Sequence, residues 1–190
     1  MLLDFNELIT KYELQITGIL HVGAHWGEEY LSYIDNDIKK VVFIEPLKEN
    51  FRILQDRFDS IDDVVLINKG AGSEIKRLKM YKASNSLVSS SILKPKRHLT
   101  QHPDVIFDDG ETIVEIDRID NMLHDIVPYN FMNVDVQGYE LEVFKGAGQF
   151  LGQVDFIMTE VNRDEVYEGC AQVEEIDDYL STYHFKRVET

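Results

Sequence analysis

Apolar residues in this chain follow two alternating patterns. Short, nearly unbroken runs occupy residues 16–22 (ITGILHV), 40–45 (KVVFIE), 64–68 (VVLIN), 129–136 (YNFMNVDV) and 154–161 (VDFIMTEV). Runs of this length, rich in β-branched residues, suit strands buried on both faces. Between them the apolar positions recur at helical spacing. Leu2, Leu3, Phe5, Leu8, Ile9, Tyr12 and Leu14 open the chain, Tyr30, Leu31 and Ile34 fall within 28–38, and Leu47, Phe51, Leu54 and Phe58 within 47–58. Leu141 and Phe144 give a further helix its apolar face, with Gly146 and Gly148 at its end, and residues 173–180 form a last helix. Alternating strand and helix predicts parallel pairing with right-handed crossovers. The expected fold is therefore α/β: a single doubly wound, Rossmann-like, mostly parallel sheet with helices on both faces.

The remaining segments fill in this outline. The N-terminal helix, within residues 1–15, is expected to cover a sheet edge. Residues 69–73 (KGAGS) read as a loop, 75–81 as an extended return, 112–119 as another extended segment and 120–125 as a short helix. Residues 82–110 lose all periodicity: they carry serines at 84, 86, 89, 90 and 91 and close on the Asp108–Asp109–Gly110 turn. A long irregular stretch in a compact domain usually serves function, so an acceptor-recognition or lid loop is expected there. Residues 183–188 read as a final strand without a return partner. The terminal hairpin is therefore expected to be incomplete, or the chain to be one domain of a longer protein.

Length and composition narrow the class. With 190 residues and 44% apolar content, one domain spanning residues 1–190 is expected. Thirty-five acidic residues against 19 basic ones give a formal net charge of −16. Such a surface repels a phosphate backbone, so no nucleic acid partner is expected, despite the basic KPKRH at 94–98. The single cysteine, Cys170, rules out an internal disulfide and suits a reducing, cytoplasmic setting. No apolar run approaches the roughly 20 residues that span a bilayer, and no signal-peptide pattern opens the chain, so no membrane span is expected. Oligomeric state is left open.

In a doubly wound sheet the C-terminal tips of the strands converge on one crevice. The expected tips carry Gly23, Ala24, His25 and Gly27, then Glu45 and Pro46, then Asn68, Lys69 and Gly70, then Asp135 to Gly138, and finally Glu160 with Asn162. Glu45 stands about 20 residues after the glycine turn, where an acid can accept hydrogen bonds from both hydroxyls of a ribose. The turn, GAHWG, is not GxGxxG, which weighs against a pyrophosphate cradle and favours a phosphate-free nucleoside cofactor. An NAD-type oxidoreductase or epimerase is the alternative enzyme class, but neither GxGxxG nor a Tyr-x-x-x-Lys pair is present. A non-catalytic binding module on the same fold is the second alternative.

Four motifs in order carry a family resemblance: HVGAHWG (21–27), IEPLKEN (44–50), SNSLVSSS (84–91) and NVDVQGYELEVFKGA (133–147). Together they make the chain resemble the FkbM-type S-adenosylmethionine-dependent methyltransferases, mostly O-methyltransferases of sugars and related metabolites, with a class I methyltransferase fold. The chain departs from the family's pattern at His21, where an acid is usual, and at Gln137, where Glu is usual. The resemblance implies S-adenosyl-L-methionine as cofactor and a sugar or glycan hydroxyl as acceptor. It implies a cofactor site of His21, Gly23, Ala24, His25, Gly27, Glu28, Glu45, Pro46, Asn68, Lys69, Gly70 and Asp135.

Methyl transfer to a hydroxyl needs the acceptor held in line and its proton removed. Asp135, at a strand tip, is the first candidate base; His25, whose imidazole type titrates near neutrality, is the second. Ser89, Ser90, Gln137, Gly138, Glu160 and Asn162 are expected to meet the acceptor. No metal is expected, because no second acid neighbours Asp135 in the sequence. His98 and His102, four apart, read as ordinary loop residues.

Overall fold

The structure, a computed structural model, describes residues 3–123 and 128–190; Leu2 and the end of the helix expected at 120–125 lie outside the described residues. The first half of the chain forms α1 (Phe5–Tyr12), β1 (Ile19–Val22), α2 (Tyr30–Asp35), β2 (Val41–Ile44), α3 (Lys48–Phe58), β3 (Val64–Ile67), β4 (Gly70–Ala71) and β5 (Lys76–Met80). The second half forms α4 (His98–Gln101), β6 (Thr112–Asp117), α5 (Ile119–Met122), β7 (Phe131–Val134), α6 (Glu140–Ala147), a 3₁₀ turn (Gly148–Gly152), β8 (Phe156–Thr159) and α7 (Val173–Ser181).

Five strands make a parallel sheet in the order β3-β2-β1-β7-β8. The chain winds outward from β1 in one direction and then returns to its other side with β7. That reversal opens the crevice expected of a doubly wound sheet at the tips of β1, β2 and β7. The three central strands, ILHV, VVFI and FMNV, are buried at every position. Their alternate side chains feed two cores. Leu20, Val22, Val42, Ile44, Met132 and Val134 pack under α6 and α7 with Val143, Phe144, Ile176 and Leu180. Ile19, Val41, Phe43 and Phe131 pack on the other face with Tyr33, Leu54 and Phe58.

Several elements differ from the sequence expectation for identifiable reasons. Helix α1 lies on a face and not along an edge, since Phe5 meets Tyr33 and Phe131 edge-on at ring separations of 5.1 and 5.4 Å. Helix α2 turns Tyr33 into the core and leaves Leu31 68% exposed. It has only six residues, and the turn that launches it, with His25 at φ 48 and Gly27 at φ 68, sets which face points inward. The KGAGS stretch supplies β4, which pairs with β6 beside antiparallel β5 in a small second sheet. Gly146 does not end α6 but lies within it. A Cβ there would stand 1.9 Å from the carbonyl oxygen of Gly72, so glycine is what allows α6 to touch the segment after β4.

The strand expected at 183–188 is absent. The chain turns at His184 (φ 72), the Phe185 amide closes on the Leu180 carbonyl, and Phe185 packs on the core. Beyond it, the carboxylate of Glu189 accepts from Lys11 and the Tyr12 hydroxyl, so the tail runs against α1. Residues 82–110 contain α4 and are stitched down by the bridges Tyr81–Ser91, Ala83–Phe107 and Pro95–Tyr167. Of this stretch, Leu87, Val88, Ser90 and Ile92 line the crevice.

Candidate active site

The crevice lies where the topology places it. Val22, Gly23, Ile44, Glu45, Pro46, Gly70 and Ala71 line one side; Asp135, Val136, Gln137 and Tyr139 line the other. Met80, Leu87, Val88, Ser90 and Ile92 close it from above. Its non-atom space, open solvent included, is about 550 Å³. The lining is apolar between two polar ends.

The first polar end is Glu45. Its side chain is only 4% exposed, and it accepts hydrogen bonds from the backbone amides of His25 (Oε2, 2.9 Å) and Leu47 (Oε1, 2.8 Å) and a long one from Asn50 (3.5 Å). Burial pushes its carboxyl up to about 7, and these donors only partly offset the desolvation. Two carboxylate oxygens offer about four acceptor positions, so capacity remains for hydroxyl donors. Asn50, which the sequence reading missed, also accepts from the Trp26 indole at 3.0 Å and so locks the glycine turn to α3. Its position inside an otherwise amphipathic helix, buried and polar, was the available signal.

Gly23 makes the turn possible. It has φ +81, and a Cβ there would sit 1.8 Å from the carbonyl oxygen of Asp135. The backbone of β7 therefore passes directly against this glycine, bringing Asp135 to the crevice. Ala24 is buried beneath the turn. Gly27 (φ +68) faces Phe58 and Leu54, so its role is packing against α3.

Other expected residues are placed away from the crevice wall. His21 is 2% exposed and points into the core below the sheet, 3.2 Å from the Tyr33 hydroxyl and 3.4 Å from Asn133 Nδ2. Burial holds its imidazole down at about 4, so it stays neutral. The reason is strand alternation: Leu20 and Val22 take one face, and His21 takes the other. Asn68 donates to the carbonyls of Glu45 and Pro46, which fixes the strand tip, and Lys69 pairs with Asp117 at 2.6 Å. Glu28 bonds the His25 ring and the Trp26 amide. Asn162 is buried, with its backbone bridged to Gln172.

His21 has a consequence for acid stability. A histidine that must stay neutral when folded but titrates near 6.5 when unfolded contributes stability above 6.5 that is lost as pH falls to about 4, on the order of 3 kcal/mol. Glu45 and Glu140, both raised to about 7, act in the opposite sense. A His21→Asn variant isolates the term. It is expected to be less stable than wild type at pH 7 in urea unfolding, with that deficit shrinking by about 3 kcal/mol at pH 4. A deficit independent of pH would contradict the buried neutral imidazole.

His25, the second candidate base, has both ring nitrogens engaged. Nδ1 lies 2.8 Å from Glu28 Oε1, Nε2 lies 2.8 Å from the Ser86 carbonyl, and the ring stacks on Trp26 at 4.5 Å. It ties the glycine turn to the overlying layer, where Ser86 and Leu87 have positive φ. The serine hydroxyls act within that layer. Ser90 accepts from the Ala83 amide, Ser89 from Asn85 Nδ2, and Ser91 donates to the Gln137 carbonyl.

The second polar end is an acidic cluster. Oxygens of Asp135, Glu140 and Glu160 lie within 4.8 Å of one another. Gln137, held at φ 55, donates from Nε2 to Asp135 Oδ1 (2.7 Å) and Glu160 Oε2 (2.8 Å), and its Oε1 lies 2.8 Å from the Tyr167 hydroxyl. Gly138 (φ +99) allows the chain to turn into α6 against Cys170 and Tyr167. Desolvation and the neighbouring Asp135 charge hold the Glu160 carboxyl well above the usual carboxylate range. Sequence reading missed Glu140, although an acid in the first turn of α6, five residues after Asp135, was there to be seen.

The crevice thus pairs an apolar lining and the buried acid Glu45 with Asp135, the member of the carboxylate cluster that reaches it. The methyltransferase FkbM domain family matches residues 21–187. The 2-O-methyltransferase NoeI of Sinorhizobium fredii (strain NBRC 101917 / NGR234) is 35% identical over 98 residues, which is 50% of this chain and 40% of that relative. The chain therefore matches less than half of that relative's length. Since the family match takes in both ends of the crevice and all five strands of the parallel sheet from His21 onward, the chain belongs to the methyltransferase FkbM domain family.

Proposed function

We propose that the protein is an S-adenosylmethionine-dependent O-methyltransferase acting on a hydroxyl of a sugar or glycan. The carrying observation is that Glu45 and Asp135 both line one crevice, at the tips of β2 and β7, the two strands that flank β1. The donor set fits the cofactor. Glu45 offers buried acceptor capacity to a ribose, and Val22, Ile44, Ala71, Met80 and Ile92 offer apolar surface to a purine and a thioether chain. When bound, S-adenosylmethionine supplies the electrophilic sulfonium methyl group.

The residues of the chain do the rest. Asp135 accepts the acceptor hydroxyl's proton on its carboxylate, and Gln137 fixes that carboxylate through the 2.7 Å bond to Oδ1. In the cation-free cluster, desolvation and the Asp135 charge favour the protonated form of Glu160. Leu87, Val88 and Ile92 add apolar side chains to the crevice lining. The relative's printed activity, 2-O-methyl transfer, supports oxygen as the atom methylated. A neutral acceptor suits the −16 formal charge.

A panel of purified glycans with methyl-labelled cofactor tests the acceptor class, and calorimetry tests the cofactor. Binding of neither S-adenosylmethionine nor its demethylated product would sink the reading. Calorimetry also carries a pH prediction. Ribose hydroxyls donate to the ionised form of Glu45, whose carboxyl titrates at about 7, so affinity is expected to strengthen about tenfold from pH 6 to pH 8 and then level off. In Glu45→Gln that dependence is expected to vanish. An unchanged pH profile in the variant would remove Glu45 from the ribose site.

A further inference from the structure

The acidic cluster has features that a base and its supports do not account for. Glu140 is completely buried, at 0% exposure, and one of its oxygens, Oε1, accepts from the backbone amides of Val136 (3.2 Å) and Gly138 (2.9 Å). Its other oxygen, Oε2, has no hydrogen-bond partner. A buried carboxylate oxygen left without a partner is costly, and native structures seldom leave one so. Asp135 and Glu160 bring two more carboxylates to the same point. Among the described residues, no Lys or Arg pairs with the acids where these three converge.

A neighbouring hydroxyl supplies a second observation. Tyr167 lies 3.0 Å from the Ser89 carbonyl and 2.8 Å from Gln137 Oε1, two acceptors for its single proton. If Tyr167 donates to Ser89 when a cation is bound, its oxygen is best met by the amide nitrogen of Gln137; the amide then reverses the orientation of the cation-free site, in which Nε2 donates to both acids, and turns Oε1 toward Asp135 and Glu160. Amide orientation is set by such partners and not by shape. A carbonyl oxygen facing two carboxylates is stable only with a cation or protons between them.

We propose that Asp135, Glu140 and Glu160, with Gln137 Oε1 as a fourth oxygen, form a binding site for one divalent cation such as Mg²⁺ or Mn²⁺. Separations within 4.8 Å match ligands arranged about a single ion, since oxygens on opposite sides of Mg²⁺ are about 4.1 Å apart and those about Ca²⁺ about 4.8 Å. The all-oxygen set favours hard cations over zinc or copper. Asp135 and Glu160 are solvent-exposed while Glu140 is buried, and Asp135 lines the crevice, so the remaining coordination positions face solvent on the Asp135 side. Two adjacent hydroxyls of a sugar can take those positions, with the cation polarising the one to be methylated. Asp135 can ligate through one oxygen and accept the proton through the other. The hydroxyl-gathering role rests on the acceptor class proposed above; cation binding itself does not.

The test therefore measures binding without acceptor or turnover. The full chain is dialysed against a chelator and titrated with Mn²⁺ by the electron paramagnetic resonance signal of the free ion, with and without S-adenosylmethionine. One saturable equivalent is expected, together with a rise in thermal midpoint in millimolar Mg²⁺. Glu160→Gln, at an exposed position, and Glu140→Gln, which removes a buried charge, are both expected to fold and to bind Mn²⁺ at least about tenfold more weakly. No saturable binding to wild type, or unchanged binding in both variants, would overturn the site. If cofactor binding persists while Mn²⁺ binding is absent, only the cation site falls and the methyltransferase reading stands.

Discussion

Asp135→Asn is expected to lower the rate of methyl transfer by about 10²–10⁴-fold, the range that removal of a general base removes, while cofactor affinity changes little. The substitution keeps the shape of the side chain and its place at the tip of β7, so Gln137 and the glycine turn stay where they are. What it removes is the basicity of the atom that receives the acceptor proton. The loss corresponds to about 3–5 kcal/mol in the barrier. Glu45, at the other end of the crevice, touches the backbone of His25 and Leu47 and not Asp135, which is why binding and turnover should separate. Single-turnover rates with the cofactor prebound measure the effect directly. Turnover within a few-fold of wild type would move the base elsewhere in the cluster.

Gly23→Ala is expected to have the largest effect on stability, a loss of about 3–5 kcal/mol in urea unfolding. An alanine at φ +81 already costs about 1–2 kcal/mol. The new methyl would also stand 1.8 Å from the Asp135 carbonyl oxygen, and neither backbone can yield easily. The amides of Gly23 and Ala24 both bond to the Ile44 carbonyl, and the Asp135 amide bonds to the Val22 carbonyl. Relief requires spreading β1 from β7 at the point where both ends of the crevice meet, so cofactor binding should fall with stability. Gly152→Ala, where nothing lies within 4 Å of the new methyl, is the control and is expected to stay within about 0.5 kcal/mol of wild type. Equal stability of the two variants would contradict the close approach.

How much of the site was legible depended on whether local sequence or distant packing set each residue's position. Glu45 and Asp135 were readable because strand tips in a doubly wound sheet always face one crevice, and the end of an apolar run marks a tip. His21 was not, because a run buried on both faces gives no sign of which alternate residues face which side. Only the pairing of β1 with β2 and β7, and Tyr33 arriving from α2, put the imidazole in the core. The serine-rich loop was legible as unusual but not as ordered. Its hydroxyls are spent on its own turns and on the Gln137 carbonyl, contacts between segments some 46 positions apart. Glu140 illustrates the same limit, since as a first-turn helix acid it reads as a dipole-complementing surface residue until the tertiary structure buries it.

By itself the sequence determined the alternation of strand and helix, the parallel sheet, the glycine turn at β1 and the acid at the end of β2. These follow from local periodicity, from backbone conformations open chiefly to glycine and from the handedness of crossovers, none of which needs distant contacts. The tertiary structure alone decided which face His21 took, that Leu87, Val88, Ser90 and Ile92 of the serine-rich stretch line the crevice, and that Asp135, Glu140 and Glu160 meet. The physical reason is common to all three. Burial and charge proximity are properties of where separate segments of chain come to rest, and three carboxylates spread over 26 residues of sequence become one electrostatic centre only when β7, α6 and β8 pack together.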